Sequence, residues 1–190
     1  MKHVAIFASG KGSNVENLLA HFNNHSSIKI SLLVSNNAQA GAIDIAKKNN
    51  VDVLVLDKDQ TADGNFIVAA LASKKINYVI LAGYLKIIPV ELIHAYPEKI
   101  INIHPALLPK FGGKGMYGSH IHKAVVQSGE TQSGITIHFV NEEYDKGRII
   151  AQKAVKLEPG DSFNEVENKV RSLEMQWFPK IVEEVISGRK

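Results

Sequence analysis

Short apolar runs rich in β-branched residues recur along this chain, at residues 3–8, 28–34, 51–56, 78–82 and 100–104. Between them the apolar positions switch to helical spacing, as with Val15, Leu18, Leu19 and Phe22. The first of these runs is unbroken after His3, as in strands covered on both faces, which is the condition of a parallel sheet. Parallel neighbours need a crossover connection, and the intervening helical segments supply it. The alternation predicts an α/β fold with a Rossmann-like, mostly parallel sheet flanked by helices. Near the C-terminal end, residues 132–140 alternate, a polar turn follows at 141–147, and 148–152 returns as a partner. That pattern predicts an antiparallel hairpin.

Local signals place the helices. Ser13 or Asn14 is expected to cap the first one. Further helices are expected over 40–48, around Phe66, Ile67, Ala70 and Leu71, and over 90–95, where Pro89 stands in the first turn. Ser119 is expected to cap a helix through Ser128. Pro159-Gly160-Asp161-Ser162 opens a long amphipathic helix with Val166, Val170, Leu173 and Trp177 near one stripe, capped by Asp161 or Ser162. Pro179 is expected to kink or restart it. The polar stretch 57–64 is expected to be a surface loop.

With 190 residues the chain suffices for one well-formed core, and a single domain over 1–190 is expected. The net charge of +3 includes no run of Lys or Arg that could track a nucleic-acid backbone, so small anions are the expected partners. Zero Cys excludes disulfides and thiolate metal sites. No apolar run approaches the roughly 20 residues of a membrane span, and with a strand expected from His3 no leader is expected. A cytoplasmic protein binding neither nucleic acid nor membrane is expected, as a monomer or homodimer.

Three stretches carry chemistry. Asn102 and His104 lie two apart on an expected strand, so they share a face, and Pro105 ends the strand at once. Polar groups at the carboxyl end of a strand in an open α/β sheet lie where such sheets bind ligands. An imidazole there can exchange protons near neutrality and an amide can polarise a carbonyl. An Asn and a His can equally satisfy ordinary hydrogen bonds at a strand end. Second, Ser9-Gly10-Lys11-Gly12-Ser13-Asn14 joins the first strand to the first helix. A glycine turn there presents backbone N–H groups and a positive helix end to a phosphate. Val15 stands where G-x-G-x-x-G needs its last glycine, so this is not the dinucleotide fingerprint. Third, Gly83-Tyr84-Leu85-Lys86-Ile87-Ile88-Pro89 follows an expected strand end and can line a slot for a flat heterocycle, or simply belong to the core. The glycine-rich stretch 111–118 reads as a flexible wall. His120 and His122 do not share a helical face, and no metal is expected.

Read together, Asn102-Ile103-His104-Pro105-Ala106-Leu107-Leu108-Pro109 resembles the signature of the folate-dependent formyltransferases, and among them those acting on glycinamide ribonucleotide. Three further matches follow in the same order. They are the S-G-x-G-S-N turn at 9–14, the A-G-[FY] stretch at 82–84, and an H-x-V-x-x-x-x-D-x-G pattern on His138, Val140, Asp145 and Gly147. The resemblance implies transfer of a formyl group from 10-formyltetrahydrofolate, as co-substrate, to an amine. It implies Asn102, His104 and Asp145 as catalytic residues. Gly12, Ser13 and Asn14 would grip the phosphate of glycinamide ribonucleotide, and Glu174 its ribose. Leu85, Lys86, Ile87, Ile88, Asn102, Asn141, Glu142, Glu143, Tyr144 and Asp145 would bind the folate. The chain departs from the family pattern at Leu85 for Met, Lys86 for Arg and Arg148 for Pro. Related transferases acting on tRNA add a C-terminal domain, and the related hydrolases add an N-terminal one. A nucleotide-binding module without catalysis is a reading from another class.

Overall fold

A computed structural model of the chain describes residues 1–188. Seven strands form one sheet in the order β3-β2-β1-β4-β5-β6-β7. These are β1 (Lys2–Phe7), β2 (Ile28–Ser35), β3 (Asp52–Val55), β4 (Ile76–Leu81), β5 (Ile100–His104), β6 (Gln132–Phe139) and β7 (Ile149–Lys156). β1 pairs in parallel with both β2 and β4, and β2 in parallel with β3. β6 and β7 are antiparallel, with Thr136 opposite Gln152. The expected mostly parallel sheet with its C-terminal hairpin is therefore the observed one, and β7 runs on to Lys156 because its residues keep pairing back to Gln132.

The described chain separates into two compact units, Met1–Ile101 with the chain from Val182, and Asn102–Ile181. In the first, Val4, Ala5, Ile6 and Phe7 of β1 are fully buried, as are Val34, Val79, Ile80, Leu18, Leu71 and Leu92. Continuous burial along β1 is what its unbroken apolar run required. Each buried Ile, Leu or Phe there contributes about 1.5–3 kcal/mol. α1 (Ser13–Phe22), α2 (Gly41–Lys48), α3 (Lys58–Ala62), α4 (Gly64–Ser73) and α5 (Val90–Ala95) complete this unit. In the second, Ile103, Ile121, Val125, Ile135, Ile137, Val166, Val170 and Phe178 form the core. It holds α6 (Ser119–Gln127) and the first part of α7 (Phe163–Ser187).

The structure corrects several local expectations. Residues 57–64 are not a plain loop. Asp57 accepts from the Gln60 N–H at 2.8 Å while its own N–H donates to Gln60 Oε1 at 3.1 Å, a reciprocal cap that starts α3. Asp63 then accepts from Phe66 N–H at 2.9 Å and starts α4. Neither Ser13 nor Asn14 caps α1. Gly12 does so in the left-handed conformation, φ 91°, because a Cβ there would lie 2.7 Å from the Ala42 backbone. Gly118, not Ser119, precedes α6, again without a side-chain cap. Ser162 is the cap of α7: its N–H donates to Glu165 Oε2 at 2.7 Å, and its Oγ accepts from Glu165 N–H at 3.4 Å. α7 continues unbroken through Pro179 instead of restarting.

Candidate active site

β5 ends at His104, as Pro105 demands, and the chain turns back through a cis Leu108–Pro109 bond. Three side-chain contacts hold that turn. Thr136 Oγ donates to Ala106 O at 2.7 Å and accepts from Leu108 N–H at 3.0 Å, while Gln152 Nε2 donates to Leu108 O at 2.9 Å. Thr136 and Gln152 face each other across the β6–β7 hairpin, so the hairpin fixes the backbone that follows β5.

Around the end of β5, four polar side chains meet. His104 is 4% exposed and His138 2%. His104 Nε2 lies 2.8 Å from the Phe111 carbonyl, which only accepts, so Nε2 carries a proton. His104 Nδ1 lies 3.6 Å from Asp145 Oδ2. The ring thus has an acceptor on each side. Asp145 Oδ2 also accepts from Gly113 N–H at 2.8 Å, and Asp145 Oδ1 lies 3.7 Å from His138 Nε2. The loop that begins at Phe111 is therefore seated on the His104–Asp145 pair through its own backbone.

His138 has a different role. Its Nδ1 donates to the Phe139 carbonyl at 2.8 Å, which leaves Nε2 as an acceptor for the Asn102 amide at 3.0 Å. Burial pushes its pKa below 6.5, and the positive field of His104 pushes the same way, against the Phe139 carbonyl and Asp145. A neutral His138 holds the Asn102 amide by one N–H. Sequence reasoning placed His138 in a pattern but gave it no function. Its signal was a histidine on the same face of β6 as Thr136, in a strand otherwise buried.

Asp145 stands in the left-handed region, φ 54°, and the turn closes two residues later at Gly147. A Cβ at Gly147 would collide with the Phe139 carbonyl oxygen, so the glycine is a steric requirement. Asn141 Oδ1 accepts from Glu143 N–H at 3.2 Å and Glu143 pairs with Lys146 at 2.5 Å. Asn141, Glu142, Glu143 and Tyr144 are exposed along this turn, while Asp145 is partly buried. Glu174 lies partly buried on α7. His122 is buried on α6 and His120 is exposed with its ring stacked on Tyr117. Burial and the field of His104 lower the pKa of His122 against the pull of Glu167. Among the described residues no group of three His, Cys, Asp or Glu is placed to hold a metal ion.

The first unit carries the other two predicted segments. Gly12, Ser13 and Asn14 form the turn into α1, where the Gly12 carbonyl accepts from Glu16 N–H at 2.9 Å. The first N–H groups of such a helix have no partner within it. After β4, Leu85 (57%) and Ile87 (63%) project into solvent, while Ile88 is buried at 7%. Leu85 and Ile87 are therefore not core, and Ile88 is. Tyr84 anchors the loop with its ring edge-on to Phe7 at 5.3 Å, and burial pushes its hydroxyl pKa up to about 12. No helix among the described residues is long and apolar enough to cross a membrane.

Comparison with known proteins agrees with this arrangement. Residues 2–182 match the formyl transferase family model. The chain is 44% identical over 99% of its length to a chloroplastic phosphoribosylglycinamide formyltransferase of Arabidopsis thaliana, of which it spans 66%, just under two thirds. It is 33% identical over 98% of its length to the phosphoribosylglycinamide formyltransferase of Bacillus subtilis, of which it spans 95%. A solved phosphoribosylglycinamide formyltransferase from Bacillus halodurans superposes with a TM-score of 0.89 at 31% identity, covering 100% of this chain and 97% of that one. An amide, a buried histidine and a carboxylate gathered at one strand end thus accompany a match along nearly the whole sequence, and the chain belongs to the formyl transferase family.

Proposed function

We propose that this protein transfers the formyl group of 10-formyltetrahydrofolate to the amine of N1-(5-phospho-D-ribosyl)glycinamide, giving the N-formyl product of de novo purine biosynthesis. The observation that carries the reading is the convergence of Asn102, His104 and Asp145, with Asp145 bridging towards both histidines at 3.6 and 3.7 Å. Attack of the amine on the formyl carbon builds negative charge on the formyl oxygen, and catalysis consists of stabilising that charge and moving two protons. Asn102 donates an amide hydrogen to the oxyanion, its other hydrogen being engaged by His138. His104, as a cation beside Asp145, stabilises the oxyanion and protonates the leaving folate nitrogen. Asp145 orders a water that relays the proton lost by the amine. The amine is itself nucleophilic, so no Ser or Cys nucleophile is required.

Ligand-binding roles follow the same reading. The turn at Gly12, Ser13 and Asn14 takes the phosphate through helix N–H groups, and Glu174 takes the ribose. The exposed Leu85 and Ile87 cover the pterin ring, with Lys86 adjacent and Ile88 supporting from the core. The turn from Asn141 through Glu142, Glu143 and Tyr144 to Asp145 borders the folate. Because His104 Nε2 donates to Phe111 O in the described conformation, the loop at 111–113 gives way when His104 turns to substrate.

A coupled absorbance assay tests this. Folate conversion is expected to need glycinamide ribonucleotide and to fall to background in His104→Ala. Conversion without the acceptor would identify a hydrolase, and no conversion under either condition would leave a ligand-binding module.

A further inference from the structure

Within the first unit, β1 is flanked by β2 on one side and β4 on the other, so the strand order reverses at β1. Such a switch point is where open α/β sheets receive ligands at their carboxyl ends. Ser9 lies two residues past the end of β1 there and is 8% exposed. All four of its polar functions are engaged. Its N–H donates to Gly83 O at 3.0 Å, and its carbonyl accepts from Asn37 Nδ2 at 3.2 Å. Its hydroxyl donates to Asn36 Oδ1 at 2.6 Å and accepts from Leu85 N–H at 3.0 Å.

We propose that Ser9 is a positioning residue whose hydroxyl ties the phosphate-binding turn to the loop at 83–88, so that one side chain sets both ligand-binding elements. The names of the two ligands rest on the function proposed above; the tie itself does not. Gly10 follows Ser9 directly, so displacing Ser9 displaces the start of the 10–14 turn. On the other side, the loop at 83–88 carries the exposed Leu85 and Ile87 and turns at Gly83 with φ 76°. A loop that presents apolar side chains to water is held in its binding shape only by such anchors. Without the bond to Leu85 N–H, ligand binding must order the loop, and that cost appears as weaker binding and not as slower chemistry. Ser9 touches no atom assigned to the reaction.

The experiment compares wild type, Ser9→Ala and Ser9→Thr. Hydrogen exchange followed by mass spectrometry is expected to show amides of the 83–88 loop exchanging at least about tenfold faster in Ser9→Ala and returning to wild-type rates in Ser9→Thr. That factor corresponds to roughly one buried hydrogen bond. In steady-state kinetics, KM is expected to rise about three- to tenfold for both 10-formyltetrahydrofolate and glycinamide ribonucleotide, with kcat within about twofold of wild type. Unchanged exchange in the 83–88 loop of Ser9→Ala overturns the proposal whatever the activity. A loss confined to kcat, or to one KM, overturns it as well. If Ser9→Ala does not fold, Ser9→Cys keeps the volume with a weak acceptor, and the same exchange comparison decides. A wild type without transferase activity would refute the function proposed above, while the exchange result would still stand or fall by itself.

Discussion

Asp145→Asn isolates the charge of the carboxylate from its shape. The amide oxygen of an asparagine can still accept from Gly113 N–H, now at 2.8 Å, so the seating of the 111–113 loop survives. What disappears is the negative charge 3.6 Å from His104 Nδ1. At that separation a pair of unit charges is worth ~5 kcal/mol at an effective dielectric of ~20 and ~1 kcal/mol in bulk water. The Asp145 side chain is 14% exposed and that of His104 5%, which places the pair nearer the first value, at about 3–4 kcal/mol. If the imidazolium acts in the transition state, kcat falls by that energy, a factor of about 10²–10³. KM for glycinamide ribonucleotide is expected to stay within about threefold, since its phosphate and ribose roles lie on other residues. The assay is steady-state folate conversion with each substrate varied, beside thermal unfolding to confirm that the variant folds. A folded Asp145→Asn protein with kcat within about fivefold of wild type would refute the electrostatic role assigned to this carboxylate.

Other perturbations probe the scaffold. Gly147→Ala forces a methyl group against the Phe139 carbonyl and is expected to cost about 3 kcal/mol or more, roughly 6–12 °C in Tm; a shift under about 2 °C would show that the turn can relax. Burial holds His122 and His138 below their ordinary value of 6.5. The unfolded chain therefore binds more protons than the folded one just below that pH. Their contribution to stability is complete above pH 6.5 and is lost as pH falls from there towards the folded-state values. Urea midpoints measured from about pH 8 to about pH 5.5 should decline on the acid side, less steeply in His122→Gln; an identical slope in the variant would discount His122. Asp57→Ala removes the reciprocal cap of α3 and is expected to cost about 1 kcal/mol, seen as a Tm loss of roughly 2–4 °C with kcat unchanged.

Much of this fold was written in local pattern. The unbroken apolar run after His3 marked β1 as a strand covered on both faces, and β1 is buried from Val4 to Phe7. Pro105 marked the end of β5 because its ring cannot join a ladder. The spacing of Asn102 and His104 placed both on one face, whereas His138 and Asp145 stood out only through the resemblance to the formyltransferases. Local caps were read less well. Asp57 and Gln60 form a capping box that composition alone presented as a polar loop, and Gly12 replaced the expected Ser13 or Asn14 because the neighbouring Ala42 backbone leaves no room for a Cβ.

Tertiary structure alone decided which polar groups meet. The bond from His138 to Asn102 depends on the strand β5 lying beside β6. The approach of Asp145 to His104 depends on the turn closed at Gly147 and on the Gly113 N–H that holds the carboxylate. The Phe111 carbonyl fixes a proton on His104 Nε2, and no property of Phe111 as a residue type announces that. Ser9 looked like one more member of a phosphate turn until the neighbouring ends of β2 and β4 supplied its partners. Periodicity reports the average environment of a face, so a sequence can say which residues are buried. Hydrogen bonds and ion pairs depend on the position of single atoms brought together from distant segments, and only the packed chain sets those distances.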